Sequence, residues 1–588
     1  MPFDGDTEFS GGCDSYTEPH VLPPGHVSRL VNGRISRTGD RIKPRWGYRF
    51  IPTLGNSRQS EILRYGKFQG EGLQKTLDKG VVLYGVFDGW IFEATRSGKY
   101  SRQIRVINSE HQINPGLDRV WLTRTPDGVV VTDGESKTLL VNKYSEVRAL
   151  DEADGELPPG KFGAYIQNRF WFADITGTTV LGSDLHFPTK ITEIQDGLPA
   201  GFIPGDDSEI TAIGKQKHLL RDIHGGSLLF STRRNLYTVA PLGDRANWGS
   251  DQTTSVSLAL SGSGASSHDS MAPFNNNIWF RSQEYGIANF MASQAQFLNN
   301  GDLYSQSAEA DVWLKNDSPQ FLDRCYTEGY ENRLFTTVSP MRGDAGDIYW
   351  GGLVVMQPNA IVRSAQRGGG TRRYEGLWTG IRPLGLTVTT EVANVGETYI
   401  WSKDRDGINR LYVMDKQLDH DITFEAKRQE IMWDVETRDY AFENALIPKR
   451  PKGRFLSLHD IERVPSIKVK SRTENSGEWQ EFYNESFQAG RCDCGEEHAT
   501  CDEKNNGSIF GVSSPRPQER PLVPLPAERG NAQFFTRAYR IEVTGKLSLG
   551  RVLAEAELES ISKQVYKEPE NCTQIGWSDV DDFRYSVT

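Results

Sequence analysis

The chain has 588 residues, 37% hydrophobic and 25% charged, with 58 glycines and a formal net charge of −11. This length exceeds one ordinary core and implies two or three domains, and the composition is that of a folded chain. The acidic balance argues against a standing grip on DNA phosphates, which needs a basic surface, and no apolar run nears the ~20 residues of a membrane span.

Residues 1–75 read as an extended N-terminal arm and docking segment, irregular in structure, whose first thirty residues are acidic and polar and carry no secretory signal. The expectation is a protein made in a cytoplasm. Pro23-Pro24-Gly25 marks a turn. The stretch after it carries Arg29, Arg34, Arg37, Arg41, Lys43, Arg45 and Arg49, interleaved with Trp46 and Tyr48. Basic and aromatic residues so mixed fit either a nucleic-acid patch or an arm docking on acidic groups of a partner or of its own domain, and the second is preferred.

Residues 76–418 carry a repeat. An apolar or aromatic strand, a polar turn and a second such strand recur around Gly89, Gly128, Asn168, Asn235, Asn276, Asn332 and Gly407. Gly and Asn belong in such turns because they tolerate positive φ at least cost. Three of the six steps between these anchors fall close to the ~40–45 residues of a four-stranded blade, and the longer ones read as blades with inserted loops. A lone hairpin cannot bury its aromatic face, so the expected fold is all-β, a β-propeller, with a β-sandwich series as the alternative. Ala308 to Asn316 reads as a short helix ended before Pro319. Asn359 to Tyr374, with Gly368, Gly369, Gly370, Arg363, Arg367, Arg372 and Arg373, reads as a long mobile basic loop.

Residues 419–588 lose the repeat and turn to alternating strands such as Ser466 to Thr473 and Ala538 to Thr544, which implies a C-terminal β-rich platform or sandwich. Between them Cys492 to Arg529 reads as an insertion of low order. Within it Cys492, Cys494, His498 and Cys501 can be read as a zinc site, as free thiols or as a disulfide, with free thiols favoured over the unusual zinc spacing. Asp579, Asp581 and Asp582 can clasp a metal, and such tails are usually solvated. Ser402-Lys-Asp404-Arg-Asp406-Gly407 misses the Asp-box signature at Asp406 and lacks the carboxylates of a calcium loop, leaving a hairpin turn. Phosphate-loop, zinc-protease and nucleophile-elbow motifs are absent from the sequence. No catalytic, cofactor-binding or metal residue is therefore named, and no cofactor is expected.

The leader's order of features is Phe9-Ser-Gly-Gly12, Asp14-Ser15, Leu22-Pro-Pro-Gly25, Asn32-Gly33 and Lys43-Pro-Arg-Trp-Gly47. It resembles the opening of the tail nozzle (tail tubular protein B) family of short-tailed bacteriophages. The resemblance implies a structural virion component, not an enzyme, assembled in the host cytoplasm into a homohexameric ring. Such a ring lies below the portal and adaptor, closes the tail until host contact, conducts the ejected DNA and contacts fibres at its side. A propeller glycan hydrolase of the tail, whose paired carboxylates the sequence does not reveal, and a propeller adaptor binding other proteins are the alternatives.

Overall fold

A computed structural model describes residues 3–558 except 217–226, 241–255, 294–306, 343–347, 364–369, 390–396, 442–448, 462–464, 474–477, 487–517, 525–535 and scattered single or paired residues. Almost every described element is a strand. Seven sheets follow one another along the chain, with first strands Phe68–Thr76, Trp121–Arg124, Gly160–Ile166, Ile210–Gln216, Met271–Phe274, Thr327–Tyr330 and Arg382–Thr389. Each first strand touches the next, and Arg382–Thr389 returns to Phe68–Thr76. The sheets thus close into a seven-bladed β-propeller.

The last blade shows how the ring is locked. Its strands Arg382–Thr389, Glu397–Lys403 and Asn409–Asp415 are joined at the outer edge by Gly47–Phe50 from the leader, antiparallel, with Phe50 opposite Tyr412. Blade one packs on blade seven through Phe87 against Trp401, ring centroids 5.1 Å apart, within one core that also holds Leu83, Phe92, Tyr399 and Leu411. Edge-to-face rings at this spacing add about 0.5–1.5 kcal/mol beyond the area they bury.

Blade six does not end at its fourth strand, Gly370–Trp378. Leader strand His26–Val31 pairs beside it, and Met432–Thr437, Arg537–Thr544, Ser466–Thr473 and Gln480–Ser486 extend the same sheet. A second sheet joins Gly33–Ile35, Ile42–Pro44, Ser548–Leu558, Lys449–Ile461 and Gln518–Pro524, with Phe3–Asp6 on Ser548–Leu558. The two sheets form a sandwich. In Arg537–Thr544 the residues Tyr539, Ile541 and Val543 are buried while Arg540 and Glu542 are not, the two-residue period of a half-buried strand. Val435, Val469 and Ile541 of one sheet share a core with Ile42, Leu456 and Val552 of the other.

The leader is more ordered than its composition suggests. Besides its strands it forms a helix, Ser57–Tyr65, whose N-cap Asn56 accepts from the Gln59 N–H at 2.9 Å. The expected basic loop is also corrected. Gly352–Arg363 and Gly370–Trp378 pair in register at Ile361–Arg372, Val362–Thr371 and Arg363–Gly370, past a shift after Gln357, because an antiparallel ladder that absorbs a bulge can continue toward its turn. Residues 364–369 lie outside the described set. Gln518–Pro524, inside the segment expected to be of low order, is a strand on Lys449–Ile461. The short helix forms at Asp311–Leu314 after a turn of 3₁₀ helix.

Candidate functional site

The ring brings together charged residues that are far apart in sequence. Glu71 lies on the first strand of blade one and Glu328 on that of blade six. Arg119 directly precedes blade two, and His268 and Asp269 precede blade five. Arg119 pairs with Asp269, and its guanidinium lies 4.7 Å from the centroid of the Tyr326 ring. His268 stacks on Phe162 at 5.0 Å, and its Nδ1 accepts the Ile213 N–H at 3.4 Å.

Burial controls the protonation of this group. It pushes the carboxyl of Glu71 up to about 8, helped by Asp269 and Glu328 and opposed by a hydrogen bond from Thr387 and by Arg119. Burial and Asp269 push Glu328 up to about 8 as well. Desolvation also holds His268 below its usual value. Glu71 Oε1 has no hydrogen-bond partner. Near neutral pH the cluster therefore presents two carboxylic acids, a neutral imidazole and an ion pair, which is proton-donating chemistry. Sequence reasoning missed these residues. The signal that finds them is polar residues at or just before the first strand of each blade, which needs the blades to be assigned first.

The basic leader turns out to be spent on this chain's own acids. Arg29 meets Asp434 and Glu436, Lys43 meets Asp460 at 2.9 Å, and Arg49 meets Asp415 at 3.1 Å. Arg45, 2% exposed, holds Asp421 with two bonds of 2.8 and 2.7 Å. Asn32, at φ 54°, ties three regions at once. Its amide donates to Thr379 Oγ1 at 2.9 Å and to the Met432 carbonyl at 3.0 Å, and its oxygen accepts from Thr379 N and Arg45 Nε. Trp46 lies among Tyr330, Phe335 and Trp378, centroids 5.5–6.1 Å away. Gly12 has φ +83°, and a Cβ there would lie 2.8 Å from the Tyr374 carbonyl, so only glycine fits without strain.

Of the other residues singled out, Cys492, Cys494, His498, Cys501, Asp579, Asp581 and Asp582 lie outside the described residues. Cys13 and Cys325 are buried free thiols, and burial pushes Cys13 up to about 12. Asp404 caps its own hairpin turn, accepting from Asp406 N at 2.9 Å and Ile408 N at 2.8 Å.

The fold thus defines a seven-bladed β-propeller fused to a β-sandwich through a shared sheet. No family model matches the chain, and no curated protein does. Among solved structures it is similar to a Trypanosoma rangeli sialidase, at 9% identity and a TM-score of 0.28, over 92% of this chain and 98% of that one. An arabinoxylan arabinofuranohydrolase from Bacillus subtilis matches at 8% identity and a TM-score of 0.22, over 84% and 96%. PorZ, a surface component of the type-IX secretion system of Porphyromonas gingivalis, matches at 11% and 0.26, over 64% of this chain and half of that one. The expectation that the chain is not an enzyme is corrected by these matches, since glycan hydrolases stand among them. At these identities and scores no substrate or residue role is transferred.

Proposed function

We propose that this chain is a ring-building subunit of the tail nozzle of a short-tailed bacteriophage. The observation that supports the reading is where the resembling leader residues sit. Gly12, Asn32, Gly33 and Arg45 are the joints at which the leader fastens propeller to sandwich. A conduit wall needs stiff units, and a sheet that runs unbroken from blade six into the sandwich supplies one. Six copies around one axis repeat a single heterologous interface, and the acidic chain disfavours adhesion of a passing duplex. Light scattering on the eluting protein, alone and mixed with the portal adaptor, tests this. Hexameric rings in either setting are the expected result, and a strict monomer in both overturns the proposal.

A second reading, a propeller hydrolase acting on glycans, is favoured by the two acidic side chains Glu71 and Glu328 with raised values in one cluster. Release of reducing sugar from host polysaccharide, lost in Glu71→Gln or Glu328→Gln, supports it. Absence of release from intact protein removes it.

A further inference from the structure

A cleft of about 270 Å³ lies at the joint between propeller and sandwich. Its walls come from the leader hairpin Gly33–Ile35 and Ile42–Pro44, the turn after Asn409–Asp415, and the strands Lys449–Ile461 and Ser548–Leu558. We infer that this cleft binds a small organic acid, one carboxylate on a short apolar stem, held by Arg34. The inference is independent of either reading above.

Arg34 stands directly opposite Lys43 in the hairpin ladder, and like charges so placed repel. Lys43 is compensated by Asp460 at 2.9 Å. The other two lysines of the cleft are compensated as well, Lys546 by Asp419 at 3.0 Å and Lys416 by Glu331 at 2.6 Å. Arg34 makes no ion pair among the described residues. Its Nε donates to the Pro44 carbonyl at 2.9 Å, which fixes the plane of the guanidinium, and its two terminal nitrogens have no acceptor there. Glu375 is already committed to Arg333 through bonds of 2.7 and 3.0 Å. Desolvation and the charge of Arg333 hold Arg34 below its usual range, by more than Glu375, Asp419 and Asp460 restore. A partly buried charge without a countercharge is costly, and this one lines an open cleft.

The lining selects the kind of ligand. One unmatched cation calls for a monoanion, because a dianion would bring a surplus negative charge beside Asp419 and Asp460. Two free N–H arms of a planar fork match the two oxygens of a carboxylate. Pro44 and Leu418 give the stem an apolar wall, and the Gln417 amide adds a neutral donor.

Saturation-transfer NMR on the full chain tests this with propionate as the probe and propionamide as its neutral isostere. Transfer to propionate and not to propionamide is expected. Arg34→Gln weakens it about ten- to a hundredfold, the worth of hydrogen bonds to a charged group. Arg34→Lys weakens it about two- to tenfold, because a point charge replaces the fork. Lys137→Gln, exposed on blade two and outside the cleft, leaves it unchanged. Thermal melting guards against a misfolded variant. Without added anion Arg34→Gln melts no lower than the parent, since the charge it removes is uncompensated, and propionate raises the melting temperature of the parent alone. No transfer to propionate, equal transfer to propionamide, a signal that Arg34→Gln leaves intact, or Arg34→Gln melting well below the anion-free parent overturns the inference.

Discussion

Replacing Asp421 with Asn removes the countercharge of a guanidinium that is 2% exposed. The Oδ2 acceptor of the 2.7 Å bond becomes an NH2 that faces the Arg45 guanidinium donor to donor, while the 2.8 Å bonds from Arg45 and from the Tyr48 N–H to Oδ1 keep an acceptor that no longer carries charge. Arg45 is left with neutral acceptors alone, the Trp46 carbonyl, Asn32 Oδ1 and the new amide oxygen. Stripping one member from a buried pair costs about 3–5 kcal/mol, mostly from the charge left uncompensated. A chain of several cores does not unfold in two states, so the effect is read locally by amide exchange in the strand Gly47–Phe50. The expected acceleration is about a hundred- to several-thousand-fold, the same free energy expressed as an opening constant. Arg45→Met combined with Asp421→Leu recovers most of the protection, because an apolar pair of similar volume carries no desolvation penalty. Exchange in Asp421→Asn within about tenfold of the parent would refute the reasoning, as would a double variant no better than the single one.

Glu71 and Glu328 hold protons in the folded chain that they release when it unfolds, because burial lifts their pKa to about 8 from the usual carboxyl value of 4.5. Stability therefore falls as pH rises from about 4.5 through about 8 and levels off above. The double variant Glu71→Gln/Glu328→Gln, neutral throughout, melts close to the parent near pH 5 and above it near pH 8.5; equal melting shifts at both values exclude the assignment. Asn32→Ala loses four side-chain hydrogen bonds and leaves at φ 54° a residue without the polar side chain that lets Asn tolerate the left-handed region; a loss of about 2–4 kcal/mol is expected in denaturant titration followed by leader-specific proteolysis. Trp46→Ala empties the space between Tyr330, Phe335 and Trp378 and should lower stability by about 3–5 kcal/mol, with Trp46→Phe losing less.

The propeller is readable in the sequence because hairpin chemistry is local. The anchors Gly89, Asn168, Asn332 and Gly407 sit in turns, with φ of 77°, 59°, 64° and 79°, Gly128 and Asn235 each open the strand after their turn, and Asn276 lies outside the described residues. One anchor falls in each blade, yet the blade count was not readable. Gly128 and Asn168 join the first and second strands of their blades, whereas Gly89 and Gly407 join the second and third, so the spacing between anchors mixes two kinds of turn. The helix Ser57–Tyr65 had a local signal in Asn56, outweighed by the Gly and Pro around it. What the leader strands pair with was not legible, since a period-two pattern states which face is buried but not against which distant strand. The cluster around Glu71 and Glu328 was illegible for the same reason. Glu71, Arg119, Asp269 and Glu328 each look like an ordinary surface charge until the ring closes.

Closure by a leader strand sets a schedule for biosynthesis. The Tyr48 N–H finds its carboxylate 373 residues later, which at about 5–20 residues per second is a delay of roughly 20–75 s on the ribosome. For nearly all of that interval Gly47–Phe50 has no partner strand to occupy its edges, and unpaired edges invite intermolecular pairing. Truncated or slowly translated chains are thus the species most prone to aggregate, and the finished ring gains kinetic protection because no terminal blade can peel away without first extracting a strand held from the other end.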